Sequence, residues 1–302
     1  MPQSMTIVGL GEALWDMLPG GKQLGGAPLN VACHAHQLLR ICGGRGVVAS
    51  RIGGDDLGHD VVAQLAAREM PTEFVQRDGA HATSTVHVEL KDGQPTYRFT
   101  PDIAWDHLEF TPQWQQLAAR CGAVCFGTLA GRSPQSRRTI WSFLDEAPQA
   151  VRLFDVNLRQ GFYDRESIVE GCRRATIVKL NEEELPIVAR ELGPDDGPVE
   201  LQLRQLLAKF ALTAVVYTRG PRGTLLVLTD ELIDPAPVKY PAAANADAVG
   251  AGDACSAGIL VGFLLGWPPA RIAALANRLG AFVASQPGAT PTLPVEIVGE
   301  IG

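Results

Sequence analysis

The run Asp247-Ala-Val-Gly250-Ala251-Gly252-Asp253 places three small residues and a carboxylate where a loop becomes a long apolar helix, from about Ala251 to Leu265. Gly250 and Gly252 let successive backbone N–H groups converge, and the helix start adds partial positive charge. Such a concavity suits the charge of a phosphoryl group in transfer. Asp253 lies in the same first turn, where a carboxylate can take the proton of an attacking hydroxyl. A plainer reading is a glycine turn leading into an acidic helix start. This segment alone does not choose between them.

A second run, Gly25-Gly26-Ala27-Pro28-Leu29-Asn30, also precedes a helix. Its glycines permit close approach of backbone to ligand, and Asn30 offers both a donor and an acceptor to hydroxyl groups. A simple turn with Asn30 as helix cap is the competing reading. Two familiar nucleotide motifs are absent. Around Gly21-Lys22, Asp16 stands where a Walker A loop needs its first glycine and Gln23 where it needs a hydroxyl. Gly9-Leu-Gly11-Glu-Ala-Leu14 lacks the third glycine of a dinucleotide fingerprint.

The elements that must hold these loops read as α/β. Thr6 to Leu10, Gly46 to Ser50, Val124 to Gly127, Val151 to Asp155, Ile177 to Leu180 and Ala214 to Thr218 are almost continuously apolar. Strands buried on both faces have that character, so a parallel sheet covered by helices is expected. Helical stretches, including Asn30 to Arg40, Gly58 to Arg68, Ser136 to Leu144 and Arg271 to Ser285, alternate with them. Residues 81–100 break the pattern. Thr85 to Leu90 and Thr96 to Phe99 alternate in polarity around Asp92-Gly93, which predicts an antiparallel hairpin. A hairpin with one wet face needs a separate small sheet, and Glu12 to Met17, ending at a Gly-rich loop, is the expected partner. A β-lid of segments 12–17 and 81–100 over one domain spanning 1–302 follows. The stretch 193–198, Gly-Pro-Asp-Asp-Gly-Pro, reads as a surface loop.

Composition narrows the function. The 302 residues are 46% hydrophobic and 20% charged, an ordinary globular profile. A net charge of −7 without a basic stripe gives no footprint for nucleic acid. No apolar run reaches the roughly 18 residues that would span a membrane. The N-terminus enters a strand without a signal-peptide pattern, so a cytoplasmic location is expected. The six cysteines form no CxxC pair and are expected reduced. The six histidines show no HExxH-like spacing, and no structural transition metal is expected.

Together these residues resemble the ribokinase (PfkB) family of carbohydrate kinases, almost end to end. The N-terminal signature matches Gly25 to Ala32 and the C-terminal one Asp247 to Asp253. Between them come Gly53-Gly-Asp-Asp-Leu-Gly58, Asn181-Glu-Glu-Glu184, and Thr218-Arg-Gly220 with Gly223. Each is weak alone, and five in order are specific. Gly11 to Asp16 with Asp155-Val-Asn-Leu-Arg-Gln-Gly-Phe-Tyr163 look most like the bacterial fructokinases of that family.

The resemblance implies a ribokinase-like three-layer fold, a mostly parallel sheet with a small β-lid, and a sugar and ATP as ligands. It implies that Asp16, Gly26, Asn30 and Arg159 bind the sugar, while Asn157 organises its strand end. Gly250, Ala251 and Gly252 would form the anion hole and Asp253 would be the base. Asn181, Thr218, Gly220, Gly223 and Asn277 would lie along the nucleotide. Glu184 would hold Mg²⁺ through water, and Asp247 would be near a monovalent cation such as K⁺. A homodimer through the lid is compatible with it, with Trp15, Tyr97 and Phe99 as contacts. Two positions depart from the signature: Ala248 stands in place of threonine and Cys255 in place of phenylalanine. The leading reading is phosphorylation of fructose to fructose 6-phosphate. Its rivals are a kinase for 2-keto-3-deoxygluconate, ribose or a nucleoside, and a non-catalytic sugar-binding protein on the same fold.

Overall fold

A computed structural model describes residues 4–18, 21–91, 94–192 and 197–302, without the side chains of 87–91 and 94–97. The expected Asp92-Gly93 turn and most of the 193–198 loop lie outside the described residues, as does the side chain of Tyr97.

The apolar runs form the middle of a nine-stranded sheet. Its strands are β1 (Thr6–Leu10), β4 (Arg45–Gly53), β5 (Val75–Asp78), β8 (Ala123–Gly127), β9 (Val151–Asp155), β10 (Ile177–Asn181), β11 (Ala214–Thr218), β12 (Thr224–Val227) and β13 (Leu232–Ile233). Their order is β13-β12-β11-β10-β9-β8-β1-β4-β5. Neighbours from β5 to β11 are parallel, and β12 and β13 pair antiparallel at one edge. Side chains alternate between two cores. Val8, Phe126, Phe154 and Val178 face one, and Ile7, Cys125, Leu153 and Ile177 face the other. The first core is covered by α3 (Pro112–Ala118), α4 (Pro134–Asp145), α5 (Arg165–Arg174), α6 (Glu184–Leu192) and α7 (Val199–Lys209). The second is covered by α1 (Ala27–Leu39), α8 (Ala251–Leu264), α9 (Pro269–Val283) and the short α10 (Val295–Val298). Helix α2 (Asp56–Ala67) closes a smaller core with β4 and the lid. Among the described residues, no helix is long and apolar enough to cross a membrane.

Two-sided burial is most complete in α8, where every residue from Ala254 to Gly262 is buried. Small residues make this possible. A side chain at Gly258 would press on Ala276 and Leu279 of α9.

The lid is a four-stranded sheet, ordered β3 (Gly21–Gly25), β2 (Leu14–Leu18), β6 (Ser84–Lys91) and β7 (Gln94–Phe99). The expected pairing of the first lid segment with the hairpin is present, as a parallel β2–β6 register. Two expectations need correction. The Gly-rich stretch after Asp16 includes a full strand, because β2 supplies Gly21 to Gly25 with an antiparallel partner. Trp15 is not a lid surface residue: it is 1% exposed, packed in the small core, and donates from Nε1 to Leu57 O at 3.0 Å. Phe99 leans edge-on against Phe162. A dimer through the lid would therefore have to use other residues than Trp15.

The Gly53–Gly58 motif joins the two sheets. Asp55 caps α2 through Gly58 N at 2.8 Å and accepts from both Thr83 N (2.8 Å) and Thr83 Oγ1 (2.6 Å). Thr83 Oγ1 in turn accepts from Gly53 N at 3.0 Å. The root of β6 is thus tied to the N-terminus of α2.

Candidate active site

Helix α1 and helix α8 point their first turns at one corner below the lid. Gly26 caps α1 with φ of 109°, and a side chain there would overlap the carbonyl oxygen of Glu12. Gly250 caps α8 in the left-handed region, φ 77°, where a side chain would run into Ala289. Both positions demand glycine. The loop at 286–289 is pinned from two directions. Asp247 accepts from Val249 N and Gly288 N, each at 3.0 Å, and buried His34 contacts Ala289 O through Nε2 at 3.0 Å. Burial lowers the His34 pKa to about 4, so the ring is neutral at neutral pH and Nε2 carries its proton to that carbonyl.

The two first turns meet in one hydrogen bond. Asn30 Nδ2 donates to Asp253 Oδ2 at 2.8 Å. Asp253 keeps a partial opening to solvent, while Asn30 is buried. Burial, with the negative charge of Asp155 behind it, raises the Asp253 pKa to about 6; Asn30, Lys179 and Arg159 pull the other way. It is ionised at neutral pH and able to accept a proton. Asp16 on β2 is also pushed up to about 6 by burial, with the Arg159 charge opposing. Arg159 itself is exposed, just past the end of β9.

Sequence reasoning missed two parts of this corner. The first is Glu12, 3% exposed, with Oε2 buried and without a partner. Burial raises its pKa to about 7; the nearby Asp253 charge adds to this, while backbone N–H groups and Arg159 oppose it. Its signal was a lone carboxylate between an apolar strand and the lid. The second is a buried ion pair. Lys179 Nζ donates to both oxygens of Asp155, at 2.9 and 2.8 Å, and Ser256 Oγ donates to Asp155 Oδ2 at 2.9 Å. Burial disfavours the ammonium, but the Asp155 charge outweighs it and holds the Lys179 pKa above its ordinary value. A side chain at Gly252 would come within 3.5 Å of that ammonium, so the positive charge lies beside the candidate anion hole.

The other half of the expected site lies along β10 to β12. The register pairs Asn181 with Thr218 and Thr218 with Thr224, bringing these positions together. Asn181 Oδ1 accepts from Glu183 N and Glu184 N at 2.9 and 3.0 Å. Glu184 is buried and accepts from Leu158 N at 3.0 Å and Asn181 N at 2.9 Å, one per oxygen. Burial and the Asp155 charge raise its pKa. The carboxylate is therefore a strut between β9 and β10, with lone pairs left for water. Asn277 packs on Gly223, accepts from Thr224 N at 2.8 Å and donates to Pro235 O at 3.4 Å. Its amide is occupied by protein. Cys255 is buried beside Thr224, with Sγ 3.5 Å from Oγ1, and Ala248 is exposed.

A mostly parallel sheet, a β-lid, and a carboxylate at a glycine-capped helix start define the class of kinases that phosphorylate hydroxyls of small molecules. The family model for pfkB family carbohydrate kinases matches residues 20–296. The chain belongs to that family and is an ATP-dependent sugar kinase. It is 30% identical to a fructokinase of Klebsiella pneumoniae, over 94% of this chain and 95% of that one. The ATP-bound fructokinase of Xylella fastidiosa superposes with a TM-score of 0.82 at 21% identity, covering 99% and 98% of the two chains. A Vibrio cholerae fructokinase double mutant bound to fructose, ADP and potassium gives 0.80 at 24% identity, covering 100% and 99%.

Proposed function

We propose that this kinase transfers the γ-phosphoryl group of ATP to fructose, giving fructose 6-phosphate. The observation that carries the chemistry is the Asn30–Asp253 hydrogen bond, which joins the candidate sugar loop to the candidate base at 2.8 Å. Asn30 fixes one carboxylate oxygen, leaving the other to take the proton of the attacking hydroxyl. The backbone N–H groups of Gly250, Ala251 and Gly252, with Lys179 beside them, supply positive potential where negative charge develops. Positioning and electrostatics then account for most of the catalysis.

Fructose is favoured by two considerations: the fructokinases to which the chain is similar, and the placement of Asp16 on the lid strand β2 with Arg159 beyond the end of β9. Asp16 accepts from hydroxyls on the lid side, and Arg159 donates from the strand end. Mg²⁺ held with the nucleotide would neutralise phosphate charge. Glu184 fits it through water only, since each of its oxygens already takes a backbone N–H. Asp247 pins the 286–289 loop with one backbone N–H on each oxygen and keeps a lone pair on each for a cation such as K⁺. A cytoplasmic location agrees with six free cysteines.

The test is kcat/KM for fructose, ribose, adenosine and 2-keto-3-deoxygluconate. Fructose should be highest, and Arg159→Ala should erode that preference without weakening ATP binding. If any of the other three is the better substrate, the fructose assignment fails and the kinase assignment stands.

A further inference from the structure

Away from the catalytic corner, two histidines and an aspartate meet at the root of the lid. His81 lies just before β6, Asp102 just after β7, and His107 ends a short 3₁₀ turn, Ala104–His107. His107 Nε2 is 2.8 Å from Asp102 Oδ1, and His81 Nε2 is 3.7 Å from the same oxygen. The two imidazoles stack, with centroids 3.6 Å apart and planes 15° from parallel. One ligand atom from each residue lies within 4.8 Å of the other two. In a tetrahedral site with bonds of about 2.0–2.1 Å, ligand atoms sit roughly 3.3 Å apart. The three groups need to close by up to about 1.5 Å, the rings must turn out of their stack, and His107, whose Nε2 donates to Asp102 in the metal-free protein, must take its Nδ1–H tautomer so that both Nε2 lone pairs converge.

The tautomer of His81 makes the arrangement informative. Its Nδ1 faces Asp78 Oδ2 at 3.1 Å. Asp78 is 2% exposed at its side chain and is held by Arg51 at 2.8 Å and by the N–H groups of Ala80 and His81 at 2.8 and 2.9 Å. A carboxylate only accepts, so Nδ1 carries a proton to Asp78 and Nε2 is the nitrogen left facing Asp102. That nitrogen and the Asp102 oxygen are 3.7 Å apart, a gap that a shared cation can bridge. A buried carboxylate behind a histidine ligand is also the usual means of fixing such a ring.

We propose that His81 Nε2, His107 Nε2 and Asp102 Oδ1 bind one divalent transition-metal ion of the zinc, nickel or cobalt type, with water completing the shell. Two imidazoles and one carboxylate suit these ions better than Mg²⁺ or Ca²⁺, which take oxygen ligands. Occupancy joins the residue before β6 to the segment after β7 and so fixes the two ends of the lid hairpin against each other. The sequence hid this site because its histidines are far apart in the chain and converge only through the lid fold.

The experiment is a Co²⁺ titration of the full-length, chelator-stripped protein without nucleotide, read by visible absorbance, with bound metal counted after dialysis. The wild type should take up one equivalent with a nitrogen- and oxygen-ligand spectrum. His107→Ala, His107→Gln and the double variant His81→Ala/His107→Ala should each lose at least tenfold in affinity while keeping wild-type circular dichroism. No uptake by the wild type, equal uptake by the double variant, or a thiolate-to-cobalt charge-transfer band would each overturn the proposal.

Discussion

The two ends of the candidate cleft treat their polar groups differently. At the sugar end, carboxyls at Glu12, Asp16 and Asp253 gather around one exposed cation, Arg159, and all three are raised by burial. Glu12 Oε2 and Asn30 Oδ1 are buried there without partners. At the nucleotide end, Asn181, Glu184 and Asn277 are spent on backbone groups, with Arg219 Nε the unpaired exception among the described residues. Its arginines pair with acids at the surface, Arg219 with Asp234 and Arg222 with Glu182. An unsatisfied, electrostatically loaded site costs stability and is kept where a ligand completes it. The satisfied end can be a rigid ledge for a nucleotide that brings its own charge.

The comparison breaks most visibly at Asp253. Asp253→Asn should lower turnover by roughly 10²–10⁴-fold, the usual contribution of a positioned proton acceptor, with ATP affinity unchanged. Steady-state kinetics with a nucleotide-binding titration checks this, and near wild-type turnover would remove Asp253 as the base.

The next largest effect belongs to the buried pair beside the candidate anion hole. Lys179→Met leaves Asp155 charged and unpaired, at a cost of about 3–5 kcal/mol. Denaturant unfolding should show that loss, and adding Asp155→Asn should recover part of it. A single variant as stable as wild type would mean that the pair is not buried in solution.

Titration sharpens the contrast further. Asp253 must be ionised to act, so kcat/KM should fall as pH drops through about 6. Glu12 acts on stability. Its folded pKa of about 7 lies above its ordinary 4.5, so the native state holds the proton more tightly. Its contribution is complete below 4.5 and is lost as pH rises to about 7. Glu12→Gln stays neutral throughout and should remove a loss on the order of a few kcal/mol. Melting curves at about pH 5 and pH 8 test it: wild type and variant should diverge on the alkaline side, and parallel curves would contradict the assignment. Asp16 and Asp253 have the same sign and keep a residual decline in the variant.

The smallest effect is expected at Ala248. It is exposed beside a loop whose carboxylate is already engaged, so Ala248→Thr should change the KM for ATP and the response to K⁺ by less than about twofold, as for an ordinary surface change. A larger shift in either titration would tie Ala248 to the nucleotide or to a cation held near Asp247.

The main sheet was legible because strands buried on both faces announce themselves as apolar runs, and β1, β9 and β11 have the expected limits. Strand β3 was not. Gly21-Lys-Gln-Leu-Gly25 has no β-branched residue, and its conformation comes from pairing with β2. The glycine-capped start of α8 was legible from composition, but that of α1 was not: the helical stretch expected from the sequence begins at Asn30, and the structure begins it at Ala27 with Gly26 as its cap. The Asp155–Lys179 pair depends on strand register, which places the two opposite each other only once β9 and β10 are neighbours. A lysine inside Ile177-Val-Lys-Leu180 did demand a counterion, but its identity is a tertiary fact. Likewise, the Gly53–Gly58 run was visible as a motif, while its grip on Thr83 required the lid to be in place.

Helix α8 carries the candidate base on its first turn and is buried from Ala254 to Gly262. Its amides can therefore exchange with deuterium only when the whole domain opens, whereas the lid strands can exchange by local fraying. The candidate proton acceptor is mounted at the end of a buried, well-protected helix, and the hydroxyl would have to be delivered to it by parts that open more readily. Activity lost by warming should thus track exposure of the α8 amides, and activity lost by changes in the lid should leave their protection intact.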